Sequence, residues 1–295
     1  MNCKLANKTP VQHNKQMSPS RNFIQRLASA IVLVALALGL TAAGLWPFVA
    51  LIVVGTSILV WEWFGILGGE ARQTHMLAQA VLLIAAAVLT GAGQPVAGLG
   101  VLAAGAIASG MFLYARERDS SAAFSLLPMT GIIYFGLPAI ALVLLRADPQ
   151  FGLLAVLFLF AVVWCEDSAA YIVGRLVKGP KLAPSISPGK TWSGACAGVV
   201  FPVLITLGVA AWIGQTSATA LALVAALLAI AAQLGDLAES AMKRRFGIKD
   251  SSNLIPGHGG LLDRVDGLVF AAVAAGLLAL LRDSENPGHA LLIWK

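Results

Sequence analysis

Charge is the scarcest property of this 295-residue chain: Asp, Glu, Lys and Arg together make up 12% of it, where a soluble domain carries roughly a quarter. With a mean hydropathy of +0.84, so little charge excludes a solvated globular fold and leaves an integral membrane protein. Cysteine is nearly absent as well. Cys3, Cys165 and Cys196 are odd in number and share no metal-ligand spacing, which excludes a disulfide framework and a cysteine zinc site. Short, alternating apolar segments are lacking too. The apolar runs are continuous and about 20 residues long, so helices rather than a barrel cross the bilayer. No internal repeat and no polar stretch long enough for a separate soluble domain are found.

The charge that is present is placed unevenly. Residues 1–26 carry Lys4, Lys8, Lys15, Arg21 and Arg26 and no acid, a pattern that predicts a mobile basic arm against an anionic inner leaflet. The polar region before Leu27 is long and eight more apolar runs follow the first, which argues against a cleaved signal peptide. Apolar runs recur at about 27–45, 47–66, 75–92, 95–115, 124–145, 151–173, 193–213, 217–240 and 265–281. The expectation is an all-α polytopic membrane protein of about nine transmembrane helices: the arm at 1–26, N-terminal helices at 27–145 and a catalytic region at 146–295. With the arm in the cytoplasm, all but Arg146, Arg282 and Lys295 of the 20 lysines and arginines fall on the cytoplasmic side. That partition explains the net charge of +6 without nucleic acid. Pro128, Pro138 and Pro202 fall within spans, where proline kinks a helix or marks its end, and Gly194-x-x-x-Gly198 reads as a packing face.

Acids inside apolar segments cost roughly 2.5–3.5 kcal/mol at a helix centre, which makes them functional candidates. Here Glu62, Glu166, Asp167, Asp236, Glu239 and Asp266 all lie at the span ends assigned to the cytoplasm, which places a polar site at one membrane surface. Asp236, Glu239, Ser240 and Lys243 fall at i, i+3, i+4 and i+7 and share a helix face. Asp263 and Asp266 open the next span one turn apart. The loop between holds Arg244, Lys249, His258 and the Gly259-Gly260 pair, so the stretch Ser240 to Asp266 is a charged island suited to a metal and phosphates. Charges at helix ends also complement the helix dipole, but that does not account for Asp236, upstream of the basic cluster in apolar surroundings. Glu62, between Trp61 and Trp63, reads as an interfacial anchor.

A second polar stretch runs from Asp167 to Gly194. Asp167 and Tyr171 share a helix face, and Lys190 and Thr191 precede a span, where a helix N-terminus attracts anions. Gly189-Lys190-Thr191 is not a phosphate-binding P-loop, because Pro184 stands where the first glycine belongs.

The run Ser240-x-x-Lys243-Arg244, Lys249-Asp250, His258-Gly259-Gly260-x-x-Asp263-Arg264-x-Asp266 resembles the pattern of the phosphatidate cytidylyltransferase (CDP-diacylglycerol synthase) family. The block Asp167-x-x-Ala170-Tyr171-x-x-Gly174-Arg175, followed by Leu182-x-Pro184-x-Ile186-Ser187-Pro188-x-Lys190-Thr191-Trp192, is similar to the family's other motif. Gly189 and Ser193 depart from it, where a lysine and a glutamate are usual. The resemblance implies condensation of CTP with phosphatidate to CDP-diacylglycerol and pyrophosphate with Mg2+, leaving open a monovalent cation beside it. It further implies a bacterial inner membrane and, by resemblance alone, a homodimer. Carboxylates bind phosphates only through a cation, so Asp236 and Asp263 are assigned as metal ligands with Asp266 and Asp167 supporting them. Lys243, Arg244 and Arg264 are assigned to the pyrophosphate or the lipid phosphate. Ser187, Lys190, Thr191 and Tyr171 are assigned to substrate, His258 as a phosphate donor, and Gly259 and Gly260 as backbone N–H donors to phosphate.

Two other classes use intramembrane acids. A cation-coupled transporter more naturally places them at the midplane, and a CTP-dependent polyprenol or phytol kinase should lack this contiguous pattern. A CDP-alcohol phosphatidyltransferase expects Asp-Gly-x-x-Ala-Arg, whereas Asp266-Gly267 continues into Leu-Val-Phe-Ala.

Overall fold

The computed structural model describes residues 19–67, 72–116, 127–212, 217–257 and 259–294. They form nine long helices: α1 Pro19–Ala42, α2 Leu45–Leu67, α3 Arg72–Gly91, α4 Pro95–Arg116, α5 Leu127–Ala147, α6 Gly152–Val177, α7 Trp192–Trp212, α8 Ala218–Arg245 and α9 Leu262–Arg282. Eight are long and apolar enough to cross a membrane, and α4 adds a shorter apolar stretch, Pro95–Met111. The protein is an all-helical, polytopic membrane protein. Helix α1 starts at Pro19, inside the segment expected as an arm, and α8 runs through Arg245, so its basic last turn complements the negative end of the helix dipole. Pro138 and Pro202 lie inside α5 and α7, and Pro128 in the first turn of α5, where its missing N–H costs no helical bond.

Between α6 and α7 the chain makes a small hairpin that the helical reading does not contain. Strands β1 Lys181–Ala183 and β2 Ser187–Thr191 pair antiparallel, Lys181 opposite Thr191 and Ala183 opposite Ser187. Pro188 is tolerated because each strand of a two-stranded ribbon keeps an unpaired edge. After α9, a short helix, α10 Pro287–Leu292, closes the opposite end of the bundle. There Arg146 Nε donates to the Thr41 carbonyl at 2.9 Å, and Asp148 accepts from the backbone of Gln150, Phe151 and His289 at 2.8–2.9 Å.

Two apolar clusters form the interior. One joins α6, α8, α9 and α10 around Leu159, Leu228, Ala272 and Leu291. The other joins α2 to α5 around Trp63, Leu83 and Phe135 and takes in Leu262 of α9. Helix α9 therefore packs against both the N-terminal and the C-terminal helices. Small residues let the site helices touch. A Cβ at Gly194 would sit 2.7 Å from the Ala170 carbonyl oxygen, and Gly267 of α9 faces Ala232 of α8. These contacts bring the C-terminal ends of α6 and α8 against the N-terminal ends of α7 and α9.

Candidate functional site

That convergence places the acids of three helices around two cavities. The smaller, of about 340 Å³, is walled by Asp167, Asp236, Glu239, Ser240, Lys243, Asp250, Asp263, Arg264 and Asp266. The larger, of about 630 Å³, is lined on its cationic side by Arg175, Lys178, Lys181 and Lys190, and also by Ser187, Thr191, Tyr171 and Glu166. Asp167 and Asp236 line both cavities and form a shared wall. The one-face spacing read from the sequence thus holds for Asp236, Glu239, Ser240 and Lys243, and the turn between Asp263 and Asp266 faces them.

Two lysines knit the acids together. Lys243 Nζ lies 2.7 Å from Glu239 Oε1 and 2.8 Å from Asp263 Oδ1, within an environment that leaves Glu239 1% exposed. Lys190 Nζ lies 2.5 Å from Asp236 Oδ2, and Ser240 Oγ donates to Asp236 Oδ1 at 3.4 Å. Asp263 is the most heavily engaged of the acids that line the smaller cavity. It accepts from the Gly260 N–H at 2.9 Å and from the Ser251 N–H at 3.1 and 3.2 Å in addition to Lys243. The Gly260 N–H, expected to reach phosphate, is therefore directed at Asp263. Gly259 takes a positive φ of 84°, which a residue with a side chain rarely adopts, and its carbonyl accepts from the Ile255 N–H.

Of the substrate-binding candidates in the second polar stretch, the hairpin carries Ser187, Lys190 and Thr191. Thr191 caps α7, accepting from the Gly194 N–H at 3.2 Å, which satisfies one of the donors a helix N-terminus leaves open. Arg244 Nε donates to the Ile186 carbonyl and so fastens α8 to the hairpin turn. Tyr171 accepts from Arg175 at 2.8 Å on an exposed face of α6. His258 lies outside the described residues.

Hard oxygens dominate the acidic cavity, the donor type Mg2+ takes. Glu239 Oε1 pairs with Lys243, and Glu239 Oε2 meets no donor among the described residues. A buried acceptor left open beside Asp236, Asp263 and Asp266 fits a cation. Among the described residues no three acids close on one point at ligand spacing. The Lys243 ammonium stands between Glu239 and Asp263, and that of Lys190 sits against Asp236.

One acid belongs elsewhere than the sequence suggests. Glu62 is not an interfacial anchor. It is 1% exposed and accepts from Ser251, Ser252, Leu261 and Leu262, while Trp61 alone of its flanking pair is exposed. A charged residue between two tryptophans is a misleading cue, and the two serines and the helix start, 189 to 200 positions away, leave no local one.

Residues 24–281 match the model of the Cytidylyltransferase family. The chain is 41% identical over 254 residues to a phosphatidate cytidylyltransferase of Brucella suis, covering 85% of this chain and 91% of that protein. It stands in the same relation, with the same figures, to one from Brucella melitensis. A phosphatidate cytidylyltransferase of Haemophilus influenzae is 42% identical over 129 residues, 42% of this chain and 45% of its own length.

Proposed function

The chain belongs to the cytidylyltransferase family, and we propose that it condenses CTP with phosphatidate at the shared wall of the two cavities. The protein is a nucleotidyltransferase. A phosphate oxygen of phosphatidate attacks the α-phosphorus of CTP, the bond from that phosphorus to the β-phosphate bridging oxygen breaks, and pyrophosphate leaves. CDP-diacylglycerol remains in the membrane. The nucleophile is already ionised at neutral pH, so no general base is required of the protein. What it must do is bring two anions together and offset the charge that collects between them.

The observation that carries this reading is the division of charge across Asp167 and Asp236. On one side, Arg175, Lys178, Lys181 and Lys190 suit a polyphosphate, and on the other, acids suit a cation. Mg2+ would be held by Asp236, with the open Glu239 Oε2 and Asp266 beside it. When bound, it would neutralise the triphosphate and stabilise the charge that develops on transfer. Asp263 could join only by giving up one of its present donors. Lys243, held between Glu239 and Asp263, bridges the two carboxylates, and Arg264 offers a guanidinium to the leaving or attacking phosphate. Lys190 bridges the hairpin and α8 where the two substrates would meet.

The same proposal puts the site in the cytoplasm, supported by the one-sided lysines and arginines. It includes a homodimer, implied by the resemblance alone, and leaves open a monovalent cation beside Mg2+. Purified protein with phosphatidate, labelled CTP and Mg2+ tests the reaction. A lipid-linked label that requires all three is the expected result. Folded protein that yields no such label above a protein-free control would overturn the reading.

A further inference from the structure

Glu62 stands on α2, outside the helices that carry the acidic cavity, yet its carboxylate is engaged by the loop that joins α8 to α9 and by the first residue of α9. Ser252 Oγ donates to Oε1 at 2.6 Å and Ser251 Oγ to Oε2 at 3.3 Å. The Leu261 N–H donates to Oε1 at 2.8 Å and the Leu262 N–H to Oε2 at 2.7 Å. Two donors come from the middle of the loop and two from its junction with α9, so one side chain ties the two together.

The chemistry of each contact supports an ionised clamp. Leu261 and Leu262 present N–H groups that the first turn of α9 leaves without helical partners, and the positive end of the helix dipole favours a carboxylate there. Burying a lone carboxylate is expensive, and four donors offset that cost. Gly260 makes room for the approach. A Cβ there would lie 2.5 Å from Glu62 Oε1 and would also collide with Ser251 Oγ. Asp263 grips the same loop from the cavity side through the Ser251 and Gly260 N–H groups. Ser251 is thus shared, its hydroxyl held by Glu62 and its amide by Asp263.

We propose that Glu62 is a positioning residue for the transfer reaction, acting through this loop to set Asp263, and with it Lys243, against Asp236. The assignment rests on the function proposed above. It makes the N-terminal helices part of the catalytic apparatus, because α2 supplies the residue that fixes the loop.

Glu62→Gln keeps the size of the side chain but turns an NH2 group toward N–H donors. Glu62→Asp keeps the charge with a shorter reach, and Ser252→Ala removes one contact should the Gln variant fail to fold. Ser57→Ala, whose hydroxyl donates to the Val53 carbonyl on the same helix, is the control. In the full-length protein, kcat is expected to fall about tenfold or more in Glu62→Gln and about threefold in Ser252→Ala, with KM within about twofold. Glu62→Asp should recover part of the loss, and amide hydrogen exchange at residues 259–262 should quicken in step with it. Quickened exchange with unchanged kcat would reduce Glu62 to a structural contact, and unchanged exchange would overturn the clamp itself. A wild-type protein that does not turn over CTP would sink the function reading, while the exchange measurement still decides the clamp.

Discussion

Lys190 Nζ lies 2.5 Å from Asp236 Oδ2, joining the hairpin to α8 at the wall that both cavities share. Each side chain keeps about a quarter or more of its surface exposed, at 25% and 30%. An exposed pair of this kind adds about 0–1 kcal/mol to stability. Its position is therefore of more consequence than its strength.

Lys190→Ala is expected to leave the thermal midpoint nearly unchanged and to lower kcat/KM for CTP or phosphatidate by about tenfold or more, as loss of a phosphate contact would. Arg72→Ala, at a basic residue that opens α3, should stay within about twofold of wild type. Steady-state kinetics with both substrates varied separates them. Equal and small effects would return Lys190 to the role of a topology charge.

Asp148 supplies a pH prediction at the other end of the bundle. Burial pushes its carboxyl up, but the backbone N–H groups of Phe151, His289, Gln150 and Gly288 outweigh that and hold it below the usual carboxylate range. A group depressed in the folded state stabilises above its unfolded value of about 3.9 and loses that contribution as pH falls through the folded value. Asp148→Asn should lower stability at pH 7 by about 1–3 kcal/mol and flatten the decline below about pH 4. Thermal unfolding in detergent across pH reads both, and parallel curves for variant and wild type would refute it. Turnover at neutral pH should be kept, since the site lies at the far end.

Orientation is decided by labelling. In a background lacking Cys3, Cys165 and Cys196, Lys178→Cys and Lys249→Cys should react from one side of sealed vesicles and Glu285→Cys from the other. The prediction follows from an odd number of spans and the distribution of basic residues. Reaction of Lys178→Cys and Glu285→Cys from the same side would refute the proposed topology.

Nine helices were legible because each apolar run is long and bounded by turn residues or charges. The acidic face of α8 was legible because the spacing of Asp236, Glu239 and Lys243 follows helical periodicity alone. Contacts set by long-range packing were not. Glu62 meets its donors across 189 to 200 positions, and no local pattern encodes that meeting. The hairpin was hidden because Pro184, Pro188 and Gly189 read as loop residues, although Pro188 sits within a strand. Asp263 was visible as an acid at a helix start, but not as the acceptor for Lys243, Ser251 and Gly260.

That last difference separates Asp236 from Asp263 experimentally. Asp236 meets only Lys190 and Ser240 in the contacts described above, so Asp236→Asn should abolish most turnover at little cost in stability. Asp263 carries an ion pair and backbone donors with a side chain 5% exposed. Asp263→Asn should therefore lower stability as well, by about 1–3 kcal/mol, since hydrogen bonds to a buried charge are lost. If both acids act in one metal-dependent unit, the double variant should turn over hardly more slowly than the worse single one. Raised Mg2+ should partly rescue a variant that only weakens metal affinity, and that rescue is expected of Asp236→Asn rather than Asp263→Asn. CTP turnover across a Mg2+ series, beside unfolding in detergent, resolves the pair. Near-normal activity in Asp236→Asn would remove it from the metal site, and losses that simply multiply in the double variant would show that the two acids work apart.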